Sequence, residues 1–278
     1  FFSMICLFVS AQTIEQTYHF ENPIVSEIQS YNQIQFKDCM QTAVEGNPSL
    51  PYKAVSLLLP YGAEAASVEV ILSDFEEITL DKELFPYQAA RPYSKPERKT
   101  FVKNEELYSS KGVYPTENHG VLTTHYLNGH AFAFTSFTPV QYEPSSGKVS
   151  YAKTATVKVN IVSAKNDNSA MLWNTPYINS KIQTLADNPE MLSTYKTRGR
   201  DISAYDMLII TGENYVEGFN EYMEYYESIG VRNRIVTVDQ IYASAQGSDN
   251  QEKIRNYIIQ EYSDNGIIMV LMGGDVNI

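Results

Sequence analysis

The sequence predicts a multidomain chain: an N-terminal all-β, sandwich-like region, then an α/β unit built on parallel strands. Three observations carry this. Residues 204–278 alternate short apolar runs with amphipathic helical periods, in the order strand, helix, strand, helix, strand. Upstream, short runs of period-two alternation recur between Gly- and Pro-containing turns, with no long helical period. Between them, Ser163–Ala170 (SAKNDNSA) is small, polar and aperiodic, the texture of a boundary.

Taken in order, Phe1–Ala11 (FFSMICLFVSA) is uncharged, largely apolar and too short to span a bilayer as a helix. Val9-Ser10-Ala11 places small or compact residues where a signal peptidase cuts, so residues 1–11 read as the remnant of a signal peptide. With no basic n-region and no initial Met, the sequence reads as part of a longer exported protein.

The β-rich domain spans residues 12–162. Ser67–Leu72 alternates apolar and polar side chains, and Ala131–Phe137 alternates small and aromatic ones. Val149, Tyr151, Ala155, Val157, Val159 and Ile161 share one face of an expected strand pair, entered through the turn Pro144-Ser145-Ser146-Gly147. Pro86, Pro92 and Pro96 mark an extended surface connection. Residues 163–203 read as a linker with a helical segment, Tyr177–Tyr195, broken at Asn188-Pro189. It ends in the basic run Lys196–Arg200 (KTRGR), which is either a solvated connection or a cleavage point for a protease of basic specificity, through Lys196, Arg198 or Arg200.

In residues 204–278, Met207–Ile210 is a continuous apolar run, as expected of a strand covered on both faces. Asn214 with Glu217 reads as a capping box, Val216, Phe219, Tyr222, Met223 and Tyr226 as the buried stripe of the helix, and Gly230 as its stop. Arg234–Val238 is the second strand. Ser248 or Asp249 caps a second helix with Ile254, Tyr257, Ile258 and Tyr262 inward, Gly266 ends it, and Ile267–Met272 is the third strand. In open α/β sheets function collects at the carboxyl ends of strands. Here those ends are Thr211-Gly212 and Gly273-Gly274-Asp275, a candidate active-site edge. Asp275 reads as a catalytic carboxylate, a metal ligand or a turn residue, and no nucleotide fingerprint is present.

Composition excludes several classes. A formal net charge of −12 disfavours nucleic acid as a partner. Residues 201–278 hold 13 acidic and 4 basic residues, so the excess sits in the α/β part, as a solubilising surface or as a face attracting basic substrates or a basic pro-segment. Two cysteines, Cys6 and Cys39, make neither a disulfide framework nor a zinc pattern. Cys39 reads as a small core residue rather than a nucleophile. His119, His125 and His130 are spaced for different faces or elements, so no metal site and no cofactor are expected.

The segments YDMLIITGENYVEGFNEYMEYYESIG (205–230), VRNRIVTVDQIYA (231–243) and IRNYIIQEYSDNGIIMVLMGGD (254–275) resemble the opening of the catalytic domain of gingipain-family cysteine peptidases, whose third strand ends in a Gly-Asp pair, here Gly274-Asp275. Pro48–Lys53, Pro86–Gln88 and Pro139–Pro144 with Gly147 are similar to the family's pro-domain, and the resemblance covers roughly residues 45–278. Asn128-Gly129-His130 departs from it, because an arginine is expected near that glycine.

The resemblance implies a caspase-like α/β fold of which the first βαβαβ part is present. It implies a zymogen acting on protein or peptide substrates, with its own pro-domain as a partner, and a secreted or cell-surface location after signal cleavage near Ala11. The cysteine nucleophile and its histidine are implied beyond Ile278, so the piece itself is expected to be inactive. Any calcium would belong to the full-length protein and is assigned to no residue here. Two alternatives stand beside this reading: a surface-protein processing or attaching peptidase of the same family, and a noncatalytic secreted binding module on a degenerate peptidase scaffold.

Overall fold

The computed structural model describes residues 12–90, 92, 94, 100–165, 172–173, 176–195 and 204–274. The expected signal remnant, the basic run Lys196–Arg200 and Asp275 lie outside the described residues. The chain divides into two compact units, Phe1–Asn166 with Lys181–Tyr195, and Asp167–Ser180 with Lys196–Ile278.

Most of the first unit is antiparallel sheet. Gln12–His19 (β1), Lys148–Ser163 (β10) and Ala63–Ile78 (β6) lie side by side in that order, and Val140–Glu143 (β9) also pairs with β10. A second sheet runs Met40–Gln41 (β4), Pro51–Leu58 (β5), His130–Phe137 (β8), Thr123–Leu127 (β7). Ile24–Ile28 (β2) and Tyr31–Gln35 (β3) form a separate hairpin. The two four-stranded sheets share a core. Ala155, Val157, Val159 and Ile161 of β10, with Ile14 and Val70 beside them, meet Val55 and Leu57 of β5 and Ala131, Ala133 and Phe137 of β8. A second cluster joins Ile34, Leu50 and Leu84 to Tyr142, Val149 and Tyr151. It includes Tyr108 of the short helix Glu105–Tyr108 (α1), whose hydroxyl donates to the Leu84 carbonyl at 2.5 Å.

The periodicity of residues 148–163 predicts a strand pair, but they form one strand of sixteen residues. Ala152, buried, and Lys153, only half-buried, interrupt the buried parity; Lys153 turns out to pair with Glu76, and Ala152 and Thr154 on either side keep one register on β6. In β8 the alternation separates sizes, not polarities. Phe132 is as fully buried as Ala131 and Ala133, so both faces of this central strand are covered. After the sheets, Pro176–Leu185 (α2) is helical and Pro189–Thr194 forms a 3-10 turn, with the expected break at Asn188.

The second unit contains a parallel three-stranded sheet in which Met207–Thr211 (β11) lies between Asn233–Thr237 (β12) and Met269–Gly273 (β13). Leu208 and Ile210 of β11 pack with Val238 and Ile241 of Val238–Ser244 (α4) and with Ile254, Tyr257, Ile258 and Tyr262 of Asn250–Asn265 (α5). The predicted stripe on α5 is therefore the face that packs on the sheet, half-buried, while the buried residue of the helix is Glu261. Asp249 caps the helix through Glu252, and Gly266 ends it in the left-handed conformation.

Three local expectations need correction. Asn214 caps no helix. Glu213–Phe219 is a 3-10 segment entered from Gly212, and the α-helix begins at Asn220 (α3, Asn220–Ser228). Gly218 lies inside this stretch, where glycine disfavours an α-helical turn. Gly230 does stop α3, in a Schellman arrangement with Val231 N–H on the Tyr226 carbonyl at 2.9 Å and Gly230 N–H on that of Glu227 at 3.0 Å. Val238 is not strand but the first residue of α4, an element missed although Thr237-x-x-Gln240 is a capping box. The third strand starts at Met269 and includes Gly273, because Ile268 and Met269 N–H groups both converge on the Asp206 carbonyl and leave Ile267 to the core. It is not covered throughout, since Val270 and Met272 are exposed.

Candidate functional site

The carboxyl edge of the parallel sheet brings Thr211, Thr237 and Gly273 into register. Thr237 is occupied by its cap: its Oγ1 accepts from Gln240 N–H at 3.3 Å, and Gln240 Oε1 accepts from Thr237 N–H at 3.1 Å. Gly273 is occupied too. A Cβ there would lie 2.8 Å from Cε2 of Phe219, so the glycine admits this chain's own aromatic ring. The close approach anticipated at Gly273 is thus internal packing. Thr211 is fully buried, and among the described residues its hydroxyl meets no hydrogen-bond partner. Gly274 follows directly. No cysteine or histidine occurs anywhere in residues 201–278, so this edge holds no thiolate–imidazole pair.

The reactive side chains elsewhere do not assemble. Cys39 is half-buried, and burial pushes its thiol up to about 11, the opposite of an activated nucleophile. His119 Nδ1 lies 3.0 Å from the Gly120 carbonyl, His125 packs toward Phe134, and His130 is fully buried. Among the described residues no three His, Cys, Asp or Glu side chains are placed to hold one metal ion.

The stretch leading to the basic run is built more tightly than a connection needs to be. Asp187 accepts from the Tyr18 hydroxyl at 2.8 Å and from Ser56 N–H at 2.9 Å, and returns its own N–H to the Ser56 carbonyl. Asn188 accepts from Leu58 N–H at 2.7 Å and donates to its carbonyl at 3.0 Å. The Tyr195 hydroxyl donates to the Leu59 carbonyl at 2.8 Å and accepts from Ala131 N–H at 3.0 Å, and burial pushes its pKa up to about 12. Its ring lies tilted against His130, 4.5 Å between centroids and 35° between planes. The β unit is therefore hydrogen-bonded up to the residue before Lys196. Nothing local in the sequence announces this, because the partners lie 64 to 169 positions away.

Comparison with family models matches residues 10–186 to the C25 propeptide (Propeptide_C25) and residues 201–278 to Peptidase family C25. The chain belongs to peptidase family C25. It is a gingipain-family sequence with a propeptide followed by the start of a cysteine peptidase domain. A solved complex of Porphyromonas gingivalis RgpB pro- and mature domains is similar in fold, with a TM-score of 0.51 and 17% identity over 66% of this chain and 95% of that one. A structure described as giving insight into zymogenic latency of gingipain K from the same organism matches over 56% of this chain and 90% of that one, at 20% identity and a TM-score of 0.45. No curated protein matches the sequence. Residues 187–200 fall between the two C25 matches, and they contain both the Asp187–Tyr195 clasp and the basic run. Among the described residues no helix is long and apolar enough to cross a membrane.

Proposed function

We propose that this C25 chain is the precursor part of an exported cysteine endopeptidase of gingipain type. The β-rich pro-domain, residues 12–162, covers or helps fold a caspase-like α/β domain that begins near residue 204, and a cut within Lys196–Arg200 activates the enzyme. The observation that carries this reading is the order of the two matches, propeptide then peptidase, with the only basic run of the connection between them. Hydrolysis of the peptide bond calls for a thiolate and a histidine. The residues here supply neither: Cys39 is held protonated in the β unit, and residues 201–278 contain no Cys or His. We place that pair in sequence following residue 278, with protein or peptide substrates and with no metal or cofactor in the residues given. The uncharged apolar run Phe1–Ala11 supports export and a secreted or cell-surface destination.

The test is to incubate the full-length precursor and sequence the new N-termini. Cuts within Lys196–Arg200 are expected, and cuts confined to other segments overturn the activation site. Changing the downstream cysteine to Ala is expected to abolish peptide hydrolysis, and a variant that still cleaves overturns the mechanism.

A further inference from the structure

The boundary between the two packed units does not coincide with the boundary between the two C25 matches. The propeptide match runs to residue 186, yet Asp167–Ser180 clusters with the unit that holds residues 201–278. In that stretch Leu172 and Trp173 are buried, with Trp173, the chain's one tryptophan, only 2% exposed. The indole Nε1–H of Trp173 donates to the Tyr262 carbonyl at 2.7 Å, on the last turn of α5. Its six-membered ring lies over Gly266, where a Cβ would come within 2.7 Å of Cδ2 and 2.8 Å of Cε2. Gly266 adopts φ 65, so the residue that lets α5 stop is also the one whose bare Cα receives the ring.

We propose that Trp173 is the anchor by which a cut propeptide remains seated on the peptidase unit. The proposal rests on the reading that the chain is cut within Lys196–Arg200. Such a cut adds one water across one peptide bond and leaves a new carboxylate and a new amino terminus. Trp173 then belongs covalently to the propeptide product, while its packing partners Tyr262 and Gly266 belong to the peptidase product. The products stay joined through a desolvated aromatic side chain with a satisfied N–H, the kind of residue that dominates protein–protein affinity. Cleavage and release become separate steps, and release requires the indole to leave its seat.

The experiment uses the full precursor with an N-terminal tag and a site-specific protease sequence in place of Lys196–Arg200, so that retention is scored wherever the natural cut falls. After complete cutting, the tagged product is captured and the dissociation of the peptidase product is followed. The wild-type products are expected to co-purify. Trp173→Ala is expected to speed dissociation at least about 30-fold, and Trp173→Phe, which keeps a ring but not the N–H, several-fold. Where the uncut Ala variant fails to fold by thermal melting, the Phe variant decides. Dissociation unchanged by the substitution, or wild-type products that part as soon as they are cut, overturns the anchor. Natural cuts away from Lys196–Arg200, found by N-terminal sequencing of the untagged precursor, overturn the activation site and leave the anchor result standing.

Discussion

Asn188 pairs with Leu58 as a neighbouring strand would. Its amide oxygen takes the Leu58 N–H and its amide nitrogen meets the Leu58 carbonyl, so one side chain satisfies both backbone groups at the end of β5. Both Asn188 and Leu58 are buried. Asn188→Ala leaves a donor and an acceptor desolvated and is expected to cost about 2–6 kcal/mol, from about 1–3 for each orphaned group. Asn188→Asp keeps the acceptor, loses the donor and sets a charge in a buried site, and is expected to be at least as damaging. Urea unfolding checks this, and a loss under about 0.5 kcal/mol for the Ala variant contradicts it.

How much of this was legible beforehand follows from the range of the interactions. Helix α5 was readable because Asp249, its apolar stripe and Gly266 act within a few residues of one another. The buried parity of β10 was readable for the same reason. The Asn188–Leu58 pair spans 130 positions, and Asn188-Pro189 announces only a helix break. The sequence marks Gly273 as a point where something approaches the backbone closely, and in the structure that is Phe219. Its partner Phe219 reads in the sequence as part of a helical stripe, and nothing there ties a ring to this glycine. The α4 cap at Thr237 and Gln240 was within local reach, but it was hidden by the apolar Val238, which extends the β12 run by one residue.

His130 gives the β unit an acid limit. Its Nδ1–H donates to the Asn128 carbonyl at 3.1 Å, while its buried Nε2 meets no partner among the described residues. Burial holds the imidazole below its ordinary pKa of 6.5. The folded state thus keeps the ring neutral where the unfolded chain protonates it. Stability from this group is complete above about pH 6.5 and declines as pH falls from there toward the lowered folded value. Denaturation curves at pH 7.5 and 5 are expected to show this decline. In His130→Phe, which keeps a ring against Tyr195 and cannot charge, the decline is expected to shrink, and an identical pH dependence in both proteins contradicts the assignment.

The buried tyrosines set the alkaline limit. Burial raises Tyr195 and Tyr142 to about 12, and it also raises Tyr18, where Asp187 adds to the effect. A raised folded pKa favours the neutral hydroxyl, so this stability is full below the ordinary value of 10.0 and is lost as pH climbs through the folded values. Absorbance of tyrosinate against pH is expected to show a group of tyrosines that ionises only as the protein unfolds. A single smooth titration of all tyrosines near 10 contradicts it.

Gly273→Ala forces its methyl into the Phe219 ring and is expected to cost about 1–3 kcal/mol, the range for overpacking. Adding Phe219→Leu is expected to recover part of that loss, because the two residues share one space and their effects are not additive. A double variant whose loss equals the sum of the singles contradicts the contact. Thr211→Val, by contrast, removes a buried hydroxyl that meets no partner among the described residues and keeps its shape, and is expected to be neutral or stabilising by about 1 kcal/mol.

Strand β10 has a kinetic consequence. It is the shared neighbour of β1, β6 and β9, and Thr13 on β1 meets Asn160 on β10 from 147 positions away. On a ribosome adding about 5–20 residues per second, β1 is made first and waits roughly ten seconds or more for the strand that covers it. Until Lys148–Ser163 has emerged, β1, β6 and β9 all present unpaired edges, and the first sheet cannot close in stages from its N-terminus. Any chain that stops short of β10 lacks that sheet altogether, so the folding of the pro-domain is triggered from its own C-terminal end, next to the stretch where the peptidase begins.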